Sequence, residues 1–215
     1  MDVTWVVDHL DVLGLRTIQH FGLAGLAIVA GFVISLGLSV FAARFRPTLA
    51  PILAISGILY TIPSLALFAA LVPVTGLSLL TAEVPLVLYT LLIFVRNIVA
   101  GLDGVPVEVL DAADGMGYPR SSRLLHVELP LAVPLIMAGV RLASVSTIGL
   151  VTISGILGDR FGGLGFFIFE GYRRSFPTEI IAGAVPSVLL ALAVDRLLVL
   201  AGTRLTPWTT PRTDA

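Results

Sequence analysis

The sequence has no cysteine and no lysine. Without thiols there is no disulfide framework, no thiolate metal site and no cysteine nucleophile. Charge of either sign is scarce: 13 basic residues, every one an arginine, and 14 acidic residues make up 13% of the 215, where a soluble domain carries roughly 25%. A chain this poor in charge and 57% hydrophobic lacks the polar surface to cover itself in water. Its net charge of −1 gives no general attraction to nucleic acid. No Gly-Lys-Ser or Gly-Lys-Thr phosphate loop is present, so any ATP and Mg²⁺ must be bound by another polypeptide and no cofactor is expected on this chain. His9, His20 and His126 are too scattered for a metal-ligand pattern. The opening Met-Asp-Val-Thr-Trp lacks the basic segment of a cleaved signal, which makes the first apolar stretch a spanning helix.

What the chain has instead is long uncharged runs, and a mean hydropathy of +1.02. Lipid offers no hydrogen bonds to the backbone, so these runs must form helices. The expected fold is an all-α polytopic membrane protein, residues 1–215 as one domain, with five spans at about 21–43, 49–71, 80–100, 130–157 and 180–200. Residues 1–20 mix Asp2, Asp8, Asp11 and Arg16 with apolar residues and suit a short interfacial helix, anchored by Trp5 at headgroup level. In the first span Gly31, Ser35 and Ser39 recur every four residues and form a small-residue face for close helix packing. Pro63 is expected to kink the second span. Placing Arg44, Arg46, Arg120, Arg123, Arg204 and Arg212 in the cytoplasm leaves Arg16, Arg160, Arg173 and Arg174 outside, which orients the chain by the positive-inside rule.

The one long polar stretch, 101–129, is the cytoplasmic loop in that orientation. Pro106, Glu108 and Asp111 suit a helix N-terminus. Val107, Leu110 and Ala113 make an apolar stripe toward a partner surface, and Gly117 is placed to end the helix in a left-handed conformation. Pro119 opens a second short helix that stops where Leu129-Pro130 begins the fourth span. Such a helix–turn–helix can lie on the headgroups or dock into a groove on another protein.

Asp111-Ala112-Ala113, three residues, Gly117, nine residues, then Val127-Glu128-Leu129-Pro130 resembles the EAA motif of ATP-binding-cassette (ABC) import permeases. The motif reads Glu-Ala-Ala, three residues, Gly, nine residues, Ile-x-Leu-Pro; the departures are Asp for Glu at 111 and Val for Ile at 127. Tyr60-Thr61-Ile62-Pro63-Ser64-Leu65-Ala66-Leu67, Arg96-Asn97, Ala138-Gly139-Val140-Arg141, Gly162-Gly163-Leu164-Gly165, and Leu189-Leu190-Ala191-Leu192 followed by Asp195 are similar to the glycine betaine/carnitine/choline branch. Asp159-Arg160-Phe161 departs from the small residues expected there.

The resemblance implies a non-catalytic permease subunit in the bacterial plasma (inner) membrane. Its partners would be a cytoplasmic ABC ATPase gripping the loop, a second copy or a sibling permease, and an extracytoplasmic substrate-binding protein. Within the spans, Pro63 and Ser64 are candidates for shaping a pathway or for a packing kink. Arg96, Arg141 and Asp195 fall toward the cytoplasmic halves, where Asp195 is expected to pair with Arg141 or Arg96. The aromatic run Phe161, Phe166, Phe167, Phe169 and Tyr172 suggests either an interfacial rest or a cation–π cage. Two alternatives stand beside this reading: an importer of amino acids or other small solutes, and a lipid-modifying enzyme that uses Asp103-Gly104 and Asp114-Gly115.

Overall fold

The computed structural model describes residues 2–209, so Arg212 lies outside the described residues. The uncharged run at Phe21 is part of a longer helix. α1, Val3–Asp8, is capped by the Asp2 carboxylate, which accepts from the Trp5 backbone N–H at 3.1 Å. After a break at His9, α2 runs without interruption from Leu10 to Arg44. The Trp5 ring packs edge-on against Phe167 and Phe176, at 6.1 and 5.6 Å between centroids.

The second span differs from the single kinked helix expected over 49–71. It is two helices, α3 (Leu49–Thr61) and α4 (Ser64–Thr75), meeting at 91°. Proline disfavours the helical conformation of the residue before it, and here both Ile62 (ψ 130°) and Pro63 (ψ 125°) are extended. Two consecutive extended residues break a helix, whereas one missing N–H only bends it. The freed Ile62 carbonyl is taken by the Tyr89 hydroxyl. As 13 residues, α3 is about 20 Å long, short of the ~30 Å hydrocarbon core. The described residues therefore hold four helices long and apolar enough to cross a membrane, and a fifth crossing if the bent pair serves as one.

α5, Leu79–Asp103, is the centre of the bundle. Ser78 caps it by accepting from the Thr81 N–H, and 67% of its apolar window is buried. α2 packs on one side of it, and α8, Leu129–Val151, on the other. The small-residue face of α2 makes the first contact possible: Gly31, Ser35 and Ser39 are all buried, and a Cβ on Gly31 would run into Thr90. Phe32 and Phe94 meet edge-on beside it, 5.4 Å apart. The connection 158–179 contains a further helix, α9 (Gly165–Arg173). The last span, α10 (Pro177–Leu205), packs on α8 and α9 with only 6% of its apolar window buried. It therefore forms an outer wall of the bundle.

Two substitutions follow from these contacts. Gly31→Ala overpacks the α2–α5 seam and lowers the stability of the detergent-purified chain by about 1–3 kcal/mol. Gly22→Ala, with open space around it on the same helix, is neutral or stabilising by up to about 1 kcal/mol. Thermal unfolding of both variants reads the difference, and equal melting points would contradict the seam. Tyr89→Phe strands the Ile62 carbonyl at the bend and costs about 1–3 kcal/mol in the same assay.

Candidate functional site

The end of the bundle where α2 and α5 finish carries the polar loop. Arg46, just past α2, forms a two-pronged ion pair with Asp103 at the end of α5, with contacts of 2.5 and 3.0 Å. α6, Val107–Gly115, follows, with Pro106 at its N-cap. The helix closes as the sequence predicts: Gly117 has φ 81°, its N–H donates to the Asp114 carbonyl at 2.9 Å, and the Tyr118 N–H donates to the Ala113 carbonyl at 3.1 Å. These paired bonds form a Schellman closure, which needs the left-handed residue. Arg123 then clamps the turn, reaching Asp114 at 2.6 Å and Glu128 at 2.9 Å.

Past Pro119 the structure departs from the expected pair of separate helices. α7 (Arg120–Arg123) passes through a π-helical turn, Leu124–Glu128, directly into α8. Pro130 has no N–H to give to the preceding turn, and a π turn is one way for a helix to absorb that loss. The Leu129 N–H accordingly bonds the Leu124 carbonyl.

The predicted apolar stripe on α6 is also split. At 100° per residue, positions 107 and 113 are about 120° apart around the helix. Ala113 is buried against the chain, whereas Val107 (60% exposed) and Met116 (70% exposed) face outward. Asp111 and Ala112 are exposed with them, Leu129 is half-buried and Pro130 exposed. α6 thus presents an acidic and apolar surface that its own chain leaves uncovered. The two carboxylates considered for metal-dependent lipid chemistry, Asp103 and Asp114, are both held by arginines.

Within the spans, midway along α8 and two-thirds of the way along α10, the expected pairing is present. Arg141 donates from Nε to Asp195 Oδ1 at 2.9 Å and from Nη2 to Oδ2 at 3.2 Å. Both residues line an open groove of about 860 Å³ between the two helices. Arg96 is exposed and makes no ion pair among the described residues. Its neighbour Asn97 fills the space over Gly139, where a Cβ would come within 2.5 Å of the Asn97 Cβ. Pro63 and Ser64 sit at the bend of the second span and do not line the groove.

At the opposite end stands His20, which sequence reasoning set aside as one of three scattered histidines. It is fully buried, its Nε2 2.9 Å from the Ile148 carbonyl and its Nδ1 accepting the Leu164 N–H at 3.2 Å. This assigns the proton to Nε2 and ties α2, α8 and the Gly-Gly-Leu-Gly turn together. Its signal was its place on the buried face shared with Ala24 and Ala27. Asp159 and Arg160 join this end through backbone carbonyls that accept from Arg16 and Gln19. The aromatic run does not converge: Phe167 packs on Leu13 and Ala182, Phe161 on a separate cluster, and Tyr172 is exposed. Arg16 lies over Phe166, 4.8 Å from its centroid.

Comparison with known proteins agrees with this architecture. Residues 34–210 match the family described as "Binding-protein-dependent transport system inner membrane component". Bacillus subtilis OpuBB, a choline transport system permease protein, is 36% identical over 89% of this chain and 88% of its own. OpuCB of the same organism, a glycine betaine/carnitine/choline transport system permease protein, is 34% identical over 95% and 94%. The osmoprotectant import permease protein OsmW of Salmonella typhimurium is 35% identical over 91% and 93%. In fold, a chain of an inward-facing structure of the MetNI methionine ABC transporter superposes with a TM-score of 0.73, at 21% identity, covering 95% of this chain and 99% of that one. With its helical spans, the chain belongs to the binding-protein-dependent transport system inner membrane components: it is a multi-pass, non-catalytic permease subunit of an ABC importer.

Proposed function

We propose that this permease passes a small quaternary-ammonium osmolyte of the glycine betaine, carnitine and choline type, and that α6 couples it to a separate ATPase. The substrate class rests on the relatives, which share about a third of their residues with this chain along nearly its whole length and are named for those solutes. The coupling role rests on one observation: α6 is rigidly closed by Gly117 yet leaves Asp111, Ala112 and Met116 exposed. A rigid helix with an uncovered surface suits a cleft on a partner, because little ordering entropy is lost on docking. In this reading the α6 end is cytoplasmic, and Asp111, Ala112, Ala113, Gly117, Leu129 and Pro130 make up the coupling element.

The rest of the assembly follows the family. The ATPase binds ATP and Mg²⁺, a second permease copy or a sibling completes the pathway, and an extracytoplasmic binding protein delivers the solute. It docks at the end of the bundle held by His20 and the Gly-Gly-Leu-Gly turn. Closure of the ATPase dimer moves α6, and the Arg123 clamp carries that motion through the π turn into α8.

Two experiments test the coupling role. The tagged chain, purified from its native membrane in mild detergent, retains an ABC ATPase, and an Asp111→Ala/Gly117→Pro double variant loses it. Retention of the ATPase by the variant would place the contact elsewhere. Gly117→Pro alone demands φ near −65° where the backbone is at +81°. Substrate-stimulated ATP hydrolysis then falls by about tenfold or more while membrane insertion is unchanged; normal stimulation would count against α6.

A further inference from the structure

Arg141 lies midway along α8 and Asp195 about two-thirds of the way along α10, yet their side chains remain 43% and 26% exposed. A charge pair turned toward hydrocarbon at that depth is costly, and such residues face cavities or other protein in membrane proteins. Here they open onto the 860 Å³ groove. The walls are otherwise apolar or small, including Val145, Gly149, Val188 and Leu192, with Thr152 and Ser187 as the remaining polar positions. A second, smaller groove of about 250 Å³ meets the first at Ala138 and Arg141 and continues along Leu198 and Gly202, toward the C-terminal end of α10. The guanidinium therefore stands where the two grooves join.

The pair is bonded without being saturated. A guanidinium has five N–H donors; Arg141 spends one from Nε and one from Nη2 on Asp195, which leaves both of Nη1 and one of Nη2. Each Asp195 oxygen accepts one of those bonds and keeps lone-pair capacity. The site thus offers a planar fork of donors beside a carboxylate, in an apolar trough.

From this geometry we propose that Arg141 and Asp195 form a transmembrane recognition site for a zwitterion carrying both a carboxylate and a quaternary ammonium. The solute's carboxylate takes the free Arg141 donors in a charge-assisted, fork-like contact. Its methylated ammonium has no N–H to donate, so it lies against Asp195 through charge alone and rests its methyl groups on Val145, Val188 and Leu192. No aromatic side chain lines the groove, so Asp195 replaces a cation–π cage as the counter-ion. The inference rests on the osmolyte importer reading above and deepens it.

The test uses the full importer, this chain with the ATPase and binding protein that accompany it, reconstituted in liposomes. ATP-driven uptake of radiolabelled glycine betaine, a zwitterion, and of choline, which has no carboxylate, is measured at saturating binding protein. Arg141→Gln lowers glycine betaine uptake by about tenfold or more and leaves choline uptake within about twofold. Asp195→Asn lowers both. An equal loss of both solutes with Arg141→Gln, or no loss, would overturn the proposal, because a purely structural pair cannot distinguish them. The apolar pair Arg141→Met/Asp195→Leu keeps the helices joined and still retains the ATPase on purification, yet loses uptake of both solutes. Full uptake in that variant would also overturn it, with lipid or a second copy of the chain then filling the groove. Absence of uptake by the unaltered importer would remove the osmolyte reading itself and this inference with it.

Discussion

Hydrocarbon provides no hydrogen bonds, so each place where a span leaves regular helix must find its own partners for the exposed backbone groups. Three breaks among the described residues show that constraint. At Pro63 the freed Ile62 carbonyl takes the Tyr89 hydroxyl. At Pro130 the helix widens to a π turn. Near Gly158 the Ser154 hydroxyl accompanies the Phe161 carbonyl and the Leu164 N–H goes to His20. At two of these places the partner is a side chain on another helix, Tyr89 of α5 and His20 of α2.

The same economy governs charge. Ion pairs collect at the ends: Arg46 with Asp103 and Arg123 with Asp114 and Glu128 at one, Arg173 and Arg174 with Glu170 near the other. The most exposed of these, Arg46 with Asp103, is of a kind that adds little stability, typically about 0–1 kcal/mol. Arg123 ties the end of α6 to the entry of α8 by holding Asp114 and Glu128 together. Among the described residues, the one pair within the spans, Arg141 with Asp195, is different: replacing an ion pair taken out of water with apolar residues is often neutral or stabilising. Its presence on an otherwise apolar groove therefore points to recognition more than to packing.

Much of this was legible in one sequence. Scarce charge and long apolar runs determined the all-α membrane fold, because no other backbone arrangement of such runs satisfies itself in lipid. The spacing of Gly31, Ser35 and Ser39 announced a close helix contact, Gly117 a left-handed stop, and the place of Asp195 within a span a need for Arg141 or Arg96. The relation to import permeases was carried by Asp111-Ala112-Ala113, Gly117 and Leu129-Pro130, whose spacing does not depend on knowing any contact.

What the sequence left undecided required neighbours. Pro63 predicts a disturbance, but a 91° break rather than a kink depends on Tyr89 arriving from α5 to take the freed carbonyl. Nothing near Trp5 in the chain announces that Phe167 of α9 and Phe176, just before α10, meet its ring. His20 reads as an isolated polar residue until Ile148 and Leu164, more than a hundred positions away, supply its two hydrogen-bond partners. Local patterns fix whether a segment is helical and which face is small or apolar, since those depend on residues three or four apart. Which face meets which partner is set by long-range packing, and only the tertiary structure could decide it.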